Sequence, residues 1–338
     1  MPLPSIRILS RDDVRACLPM ADCIDAMERA LAAASAGEAL VPLRSTLWLS
    51  DRRGLLGVMP SIDERAARAG AKIITVLPGN HGTAFDAHQG AVLLFETRQG
   101  RLEAILDASA LTEIRTAAAS GAATRRLARP DAGDLAILGS GVQARAHLAA
   151  MRAVRPLRRV RVWSRDPDRA RAFAARESAR HGLAVEPVAS AREAVRGADL
   201  VCTTTSSPQP VLEGAWLAPG AHVNAVGACI PAMRELDTEA VRRARLLVDR
   251  RESALAEAGD VLIPIREGAI GSDHVAGEVG EVFLGMIAGR TGDGEITLFK
   301  SLGIAIEDLA AADVAVRNAT AAGRGAVVPF GGTRDDAD

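Results

Sequence analysis

Residues 134–148, "DLAILGSGVQARAHL", constrain this chain more than any other stretch. An apolar run leads into Gly139-Ser140-Gly141-Val142-Gln143-Ala144, a GxGxxA, and a helical pattern opens directly behind it. Gly139 permits a tight turn. Gly141 lets backbone approach a pyrophosphate, and the small side chain of Ala144 lets helix and strand pack closely. The N–H groups at the helix start then face the phosphates. The competing reading is a glycine turn in an α/β protein that holds no nucleotide. The strand–helix rhythm downstream favours the dinucleotide.

That rhythm runs through strand "DLAILGSG", helix 142–154, strand "RVRVWS", helix 167–181, a short helix near 190–196, and strands "ADLVCTTT", "HVNAVGA" and "RLLVD". Such alternation predicts a parallel sheet covered on both faces, a Rossmann-type doubly wound α/β fold. Upstream the pattern differs. Ser10 followed by Asp13 predicts an N-terminal cap, with one helix over 11–36 that ends at Gly37. Between 43 and 107 come short apolar runs, "RSTLWLS", "GLLGVMP", "AKIITVL", "GAVLLFET" and "RLEAILD", with "DRRG" and "TRQG" as hairpin loops. These predict an antiparallel sheet with helices, an α+β arrangement. A small-residue helix over 111–128, a break at "RPDAGD", a last helix over 304–322 and a polar tail over 331–338 complete the reading.

The 338 residues suffice for two domains with a sizeable core. A net charge of -1, 3% aromatic residues and no tyrosine argue against nucleic acid or an anionic membrane as partner. Cys17, Cys23, Cys202 and Cys229 form no CxxC pair and no cluster with metal spacing, so no metal is expected. Cys17 and Cys23 lie in a helical pattern and read as reduced core thiols. The N-terminus lacks a signal-peptide pattern, and no run of about 18 apolar residues could span a membrane. A cytoplasmic protein is the expectation.

Cofactor choice is set after the second strand of the parallel sheet. An NAD site commonly ends that strand with an acidic residue for the ribose hydroxyls. Here "VRVWSRDPDRAR" places Ser164 there, followed by Arg165, and a hydroxyl beside a guanidinium suits a 2′-phosphate. Asp166 reads as the cap of the next helix. NADPH is therefore expected, with NADH still possible; the alternative for Arg165 is plain solvation.

Several long segments, in order, resemble the ornithine cyclodeaminase/μ-crystallin family: "GAKIITVLPGN", "HQGAVLLFE", "LTEIRTAAASGAAT", "LAILGSGVQA", "VNAVGACIPAMRELD" and "ITLFKSLGIAIEDL". They reach from about residue 40 to 310. The resemblance implies a dinucleotide-binding domain, residues 116–304, inserted in a substrate and dimerisation domain formed by 1–115 plus 305–338, and it implies a homodimer. It implies small substrates bearing an α-carboxylate with an amine or imine on the α-carbon. By matched position it points to Arg44, Lys72 and Arg115 for the substrate, with Leu302 on the substrate side, and to Val142, Gln143, Ser164, Thr205 and Val226 for the cofactor. The residues agree with those roles. Guanidinium forks clamp carboxylates. Lys72 lies in "AGAKIITV", a run too apolar to need a surface lysine, where a depressed pKa would suit a proton donor. The alternative for Lys72 is a strand-edge gatekeeper, and for the arginines solvation. His88 reads as a core histidine, with a place facing the same cleft as the alternative.

Two departures bear on the activity. The family's cyclodeaminases carry an aspartate where this chain has Cys229 and a glutamate where it has Gly57. Their ring closure with loss of ammonia needs a base beside the α-carbon, and a thiol with an ordinary pKa near 8.5 replaces it poorly. Reduction of a ready-made C=N asks less: a carboxylate clamp, a proton donor and a nicotinamide. The expectation is an NADPH-dependent reductase of cyclic ketimino acids of the Δ1-pyrroline-2-carboxylate or Δ1-piperideine-2-carboxylate type, with Lys72 as proton donor and Cys229 lining the pocket. The alternatives are an ornithine cyclodeaminase or alanine-type dehydrogenase and, from another class, a crystallin-like NADPH-binding protein without turnover.

Overall fold

A computed structural model describes residues 5–80 and 82–331. The chain divides into two compact units, Met1–Arg115 with Ile304–Asp338, and Thr116–Gly303. In chain order the first unit contains β1 (Ser5–Leu9), α1 (Arg11–Cys17), α2 (Met20–Ser35), β2 (Ala39–Leu40), β3 (Ser45–Trp48), β4 (Leu55–Asp63), β5 (Arg68–Val76), β6 (His88–Glu96) and β7 (Leu102–Asp107). Helix α3 (Ala108–Leu127) contains the division. The second unit continues through β8 (Asp134–Leu138), α4 (Val142–Val154), β9 (Arg159–Trp163), α5 (Pro167–His181), β10 (Val185–Pro187), α6 (Ala191–Val195), β11 (Leu200–Thr203) and β12 (His222–Ala225). Then come α7 (Thr238–Arg243), β13 (Arg245–Val248), α8 (Arg251–Glu257), α9 (Gly259–Arg266), β14 (Val275–Glu278), α10 (Val279–Phe283) and β15 (Thr297–Lys300). The chain returns to the first unit with α11 (Ala305–Ala321) and β16 (Ala326–Pro329). The tail expected over 331–338 lies outside the described residues from 332 onward.

The first unit is a sheet in the order β16-β1-β7-β6-β5-β4-β2, with β3 also on β4. Its pairs are antiparallel except β1 with β7. Register places Met59, Lys72, Val92, Leu106 and Leu9 in one row across five strands, all buried. α11 packs on β4, β5 and β6, and α2 packs on α11. Lys72 therefore occupies a core position. The other side chains of these strands point to the opposite face, where Ile8, Leu47, Ile62 and Ile73 are exposed.

Two expectations need correction here. The single helix over 11–36 is two helices. The Ser10/Asp13 capping box is present, but Leu18, which precedes Pro19, sits at φ -121°, ψ 74°, outside helical backbone, as a residue before proline prefers. His88 is exposed at the start of β6 and is not a core histidine. Strands β1 and β16 are additions that the sequence reading lacked.

The second unit is an eight-stranded parallel sheet in the order β10-β9-β8-β11-β12-β15-β13-β14. α4 and α5 have the bounds expected from sequence. Asp166 caps α5 through the N–H groups of Asp168 and Arg169, Pro167 takes the first turn, and Gly182 ends the helix at φ 60°. The strand order reverses between β8 and β11, and the carboxyl ends flanking such a switch point are where doubly wound sheets bind ligands. Among the described residues, no helix is long and apolar enough to cross a membrane.

The start of β8 is tied down by Asp199. Its Oδ2 accepts from the N–H groups of Gly133 at 2.9 Å and Asp134 at 3.0 Å, and its Oδ1 from Arg129 at 2.7 Å. Burial alone would raise its pKa; those donors outweigh burial and hold it below 3.8. A depressed carboxyl stabilises the fold above its unfolded pKa of about 4 and loses that contribution as pH falls through the folded value. Asp199→Asn should therefore cost about 1–3 kcal/mol at neutral pH by urea unfolding, with the gap to wild type closing below about pH 4.

Candidate active site

Gly139 follows β8 at φ +120°, and a Cβ there would lie 2.8 Å from the Thr204 carbonyl oxygen. Only glycine fits this turn. Gly141 is the N-cap of α4 and offers no side-chain acceptor to the helix's first N–H groups. A Cβ on Gly141 would meet nothing within 4 Å. An uncapped helix start facing open space is the environment a pyrophosphate fits. Val142 is exposed and Gln143 half-buried at this end, while Ala144 is fully buried. Ser140 Oγ donates to Ser164 Oγ at 3.1 Å, and Arg165 is exposed beside it. The Asp166 carboxylate is spent on capping α5.

Beyond the switch point, Thr205 donates its N–H and Oγ1 to Glu235 Oε1 at 2.6 and 2.7 Å. Val226 is buried, and Cys229 Sγ donates to its carbonyl oxygen at 3.3 Å, so these two residues meet at the end of β12. Leu302 is buried, with its N–H on Asp249 Oδ2 at 2.6 Å.

In the first unit, Lys72 and Arg115 converge on one carboxylate that the sequence reading left without a role. Lys72 Nζ lies 3.0 Å from Asp308 Oδ1 and 2.8 Å from Oδ2. Arg115 Nε lies 2.8 Å from Asp308 Oδ1, and its Nη1 2.8 Å from Glu307 Oε2. All four side chains are at most 5% exposed. Two cations thus balance two carboxylates. Arg44, half-buried just before β3, lies near enough to add its positive charge to the surroundings of Lys72. Burial, then Arg115, pushes the Lys72 pKa down; Asp308 opposes both, Arg44 lowers it further, and the result is about 8. Asp308 itself stays below 3.8, because Arg115 and Lys72 outweigh its burial.

Sequence reasoning found the cations and missed Glu307 and Asp308. The available signal was "AIEDLAAADVA", two adjacent carboxylates on a helix otherwise dominated by small apolar residues. Arg115 is not a solvated arginine: it is buried, with its Nε and Nη1 on Asp308 and Glu307. Among the described residues no histidine, cysteine or acidic group forms a metal-binding cluster.

Fold and geometry together define a dinucleotide-binding α/β protein whose other unit carries a buried ammonium–guanidinium–carboxylate cluster. The chain belongs to the ornithine cyclodeaminase/mu-crystallin family, whose profile matches residues 6–323. It is 41% identical to the ketimine reductase mu-crystallin of Mus musculus over 292 residues, 86% of this chain and 89% of the relative. The structure of Thermococcus litoralis Delta(1)-pyrroline-2-carboxylate reductase in complex with NADH and L-proline superposes with a TM-score of 0.92 at 37% identity, covering 95% of this chain and 99% of that one. An archaeal alanine dehydrogenase dimer with bound NAD superposes at 0.91 with 32% identity, covering 97% and 100%.

The sequence contains two lysines, Lys72 and Lys300, so a lysine-labelled protein gives two ammonium signals. Titration by NMR should show Lys72 near pH 8. In Asp308→Asn the anion that favours the charged form is gone, so that midpoint should move lower; an unmoved or higher midpoint would contradict the cluster's electrostatics.

Proposed function

We propose that this protein is an NADPH-dependent reductase of cyclic ketimino acids, of the Δ1-pyrroline-2-carboxylate or Δ1-piperideine-2-carboxylate type. The observation that carries the reading is the buried Lys72 ammonium held by Asp308; the family resemblance adds that Cys229 and Gly57 stand where the cyclodeaminases keep carboxylates. An imine nitrogen needs a proton as its carbon gains a hydride. An ammonium with a pKa near 8 is charged at neutral pH and gives up its proton readily. The substrate carboxylate is assigned to Arg44 and Arg115, and an apolar substrate contact to Leu302. Bound nicotinamide cofactor supplies the hydride. The N–H groups at the start of α4, past Gly139 and Gly141, would hold its pyrophosphate, with Val142, Gln143, Thr205 and Val226 along its path.

The 2′-phosphate of NADPH is assigned to Ser164 and Arg165. Supporting this, Asp166, which closely follows β9, is taken up as the cap of α5. A homodimer formed through the first unit is supported by the apolar sheet face that exposes Leu47, Ile62 and Ile73. A cytoplasmic setting suits four cysteines that are all free.

A panel of cyclic imines and amino acids, run with both nicotinamide cofactors, tests the reading. NADPH oxidation by the cyclic imines is expected, with no ammonia from ornithine. Release of ammonia from ornithine without imine reduction would sink the proposal. The rate should fall as pH rises past about 8, because Lys72 must be protonated. Lys72→Ala should lower kcat by at least about 100-fold. Arg165→Ala should lose most of any preference for NADPH, and Cys229→Ala should be mild.

A further inference from the structure

Arginine supplies all but two of the chain's 41 lysine and arginine side chains. The two exceptions are Lys72 and Lys300, which are 2% and 1% exposed, each against a buried aspartate. In a chain that meets nearly every other need for a cation with arginine, a buried lysine marks a place for a compact ammonium where a planar guanidinium does not fit. Lys72 has a role above. Lys300 has none yet.

Lys300 ends β15 and pairs in register with Ala225 of β12 and Val248 of β13, at the carboxyl edge of the sheet. Its Nζ lies 2.9 Å from Asp260 Oδ2. Asp260 Oδ1 accepts from the N–H groups of Glu235 at 2.8 Å and Leu236 at 3.1 Å. The Glu235 side chain, fully buried, then accepts four bonds. Oε1 takes the N–H and hydroxyl of Thr205; Oε2 takes the Thr203 hydroxyl at 2.7 Å and the Gly227 N–H at 2.6 Å. Gly227 is wedged in: a Cβ there would lie 1.9 Å from the Thr205 carbonyl oxygen. One line of charges thus fixes the ends of β11, β12 and β15.

A dinucleotide lies across a doubly wound sheet with one nucleotide on each side of the switch point. The GxGxxA turn, Ser164 and Arg165 serve the β8–β9 side. We infer that Lys300, Asp260 and Glu235 are positioning residues for the other side, holding Thr205 and Val226–Gly227 in place for the nicotinamide half without touching it. This rests on the dinucleotide reading above.

The test compares two ligands by calorimetry: NADPH, and 2′,5′-ADP, which lacks the nicotinamide half. The proteins are wild type, Glu235→Gln, and the double variant Lys300→Met with Asp260→Asn, which removes one charge of each sign. Glu235→Gln keeps the side chain's shape and carries the test if the double variant does not fold. NADPH should weaken by about tenfold or more in the variants, as for loss of a hydrogen bond to a charged group, while 2′,5′-ADP changes by no more than about twofold. A general loosening of the fold would weaken both ligands alike, and that result, or no change in either, overturns the inference. Wild-type protein that binds neither ligand overturns the dinucleotide reading and this inference with it. NADPH-selective loss alongside no turnover of any imine would keep the inference and sink only the proposed substrate.

Discussion

A lysine ammonium inside a row of Met59, Val92 and Leu106 can stay charged only with an anion in contact, because the cost of taking an unpaired charge out of water is several kcal/mol. Asp308 is that anion, and much of the first unit follows from placing it. It belongs to α11, more than two hundred residues from Lys72 along the chain. The chain must therefore come back after β15 and lay α11 across β4, β5 and β6. Arg115 and Glu307 complete the balance: two cations, two carboxylates, drawn from a strand and two helices. Such a cluster is a poor source of net stability. It is a strict condition on register, since a shift of one residue in β5 would turn the ammonium to the other face of the sheet.

The second unit uses the same physics for a different end. Burial and the neighbouring Asp260 push the Glu235 pKa up, while the Thr205 hydroxyl, Lys300 and the Thr203 hydroxyl draw it down. Burial disfavours the Lys300 ammonium, and Asp260, with Cys229 and Glu235 adding to it, turns the shift upward. Asp260 links the two, with its Oδ2 at the Lys300 ammonium and its Oδ1 on the Glu235 N–H. The parallel strands give the edge its layout, and the buried charges settle the details of its loops. Asp249 acts similarly on the next segment, accepting the N–H groups of Leu302 and Gly303.

What could be read from sequence was what is local. The bounds of α4 and α5 follow from a glycine turn and from Asp166-Pro167, signals carried by adjacent residues. The strands of the second unit are apolar runs between such signals. Pro19 was equally visible, yet the helical period continues on both sides of it and masked the break. β1 and β16 pair with each other across Ser5↔Pro329, and two short segments so far apart give no local sign of their pairing. The site divides the same way. Gly139, Gly141 and Lys72 stand out from their own neighbours. Glu307, Asp308, Glu235 and Asp260 do not, because a carboxylate on a helix or loop reads as solvated until its distant cation is found.

This bears on Cys229. The family resemblance makes it one of two missing carboxylates, with Gly57 the other. The structure gives it a wider setting. Lys300 is already committed to Asp260, and only a negative charge at Cys229 would act on it. A carboxylate at 229 would add an anion beside that ammonium and compete with the partner that orders residues 235 and 236. The thiol leaves the pairing undisturbed. Lys300 is thereby kept for Asp260, while the Cys229 sulfur is held by the Val226 carbonyl oxygen at the end of β12.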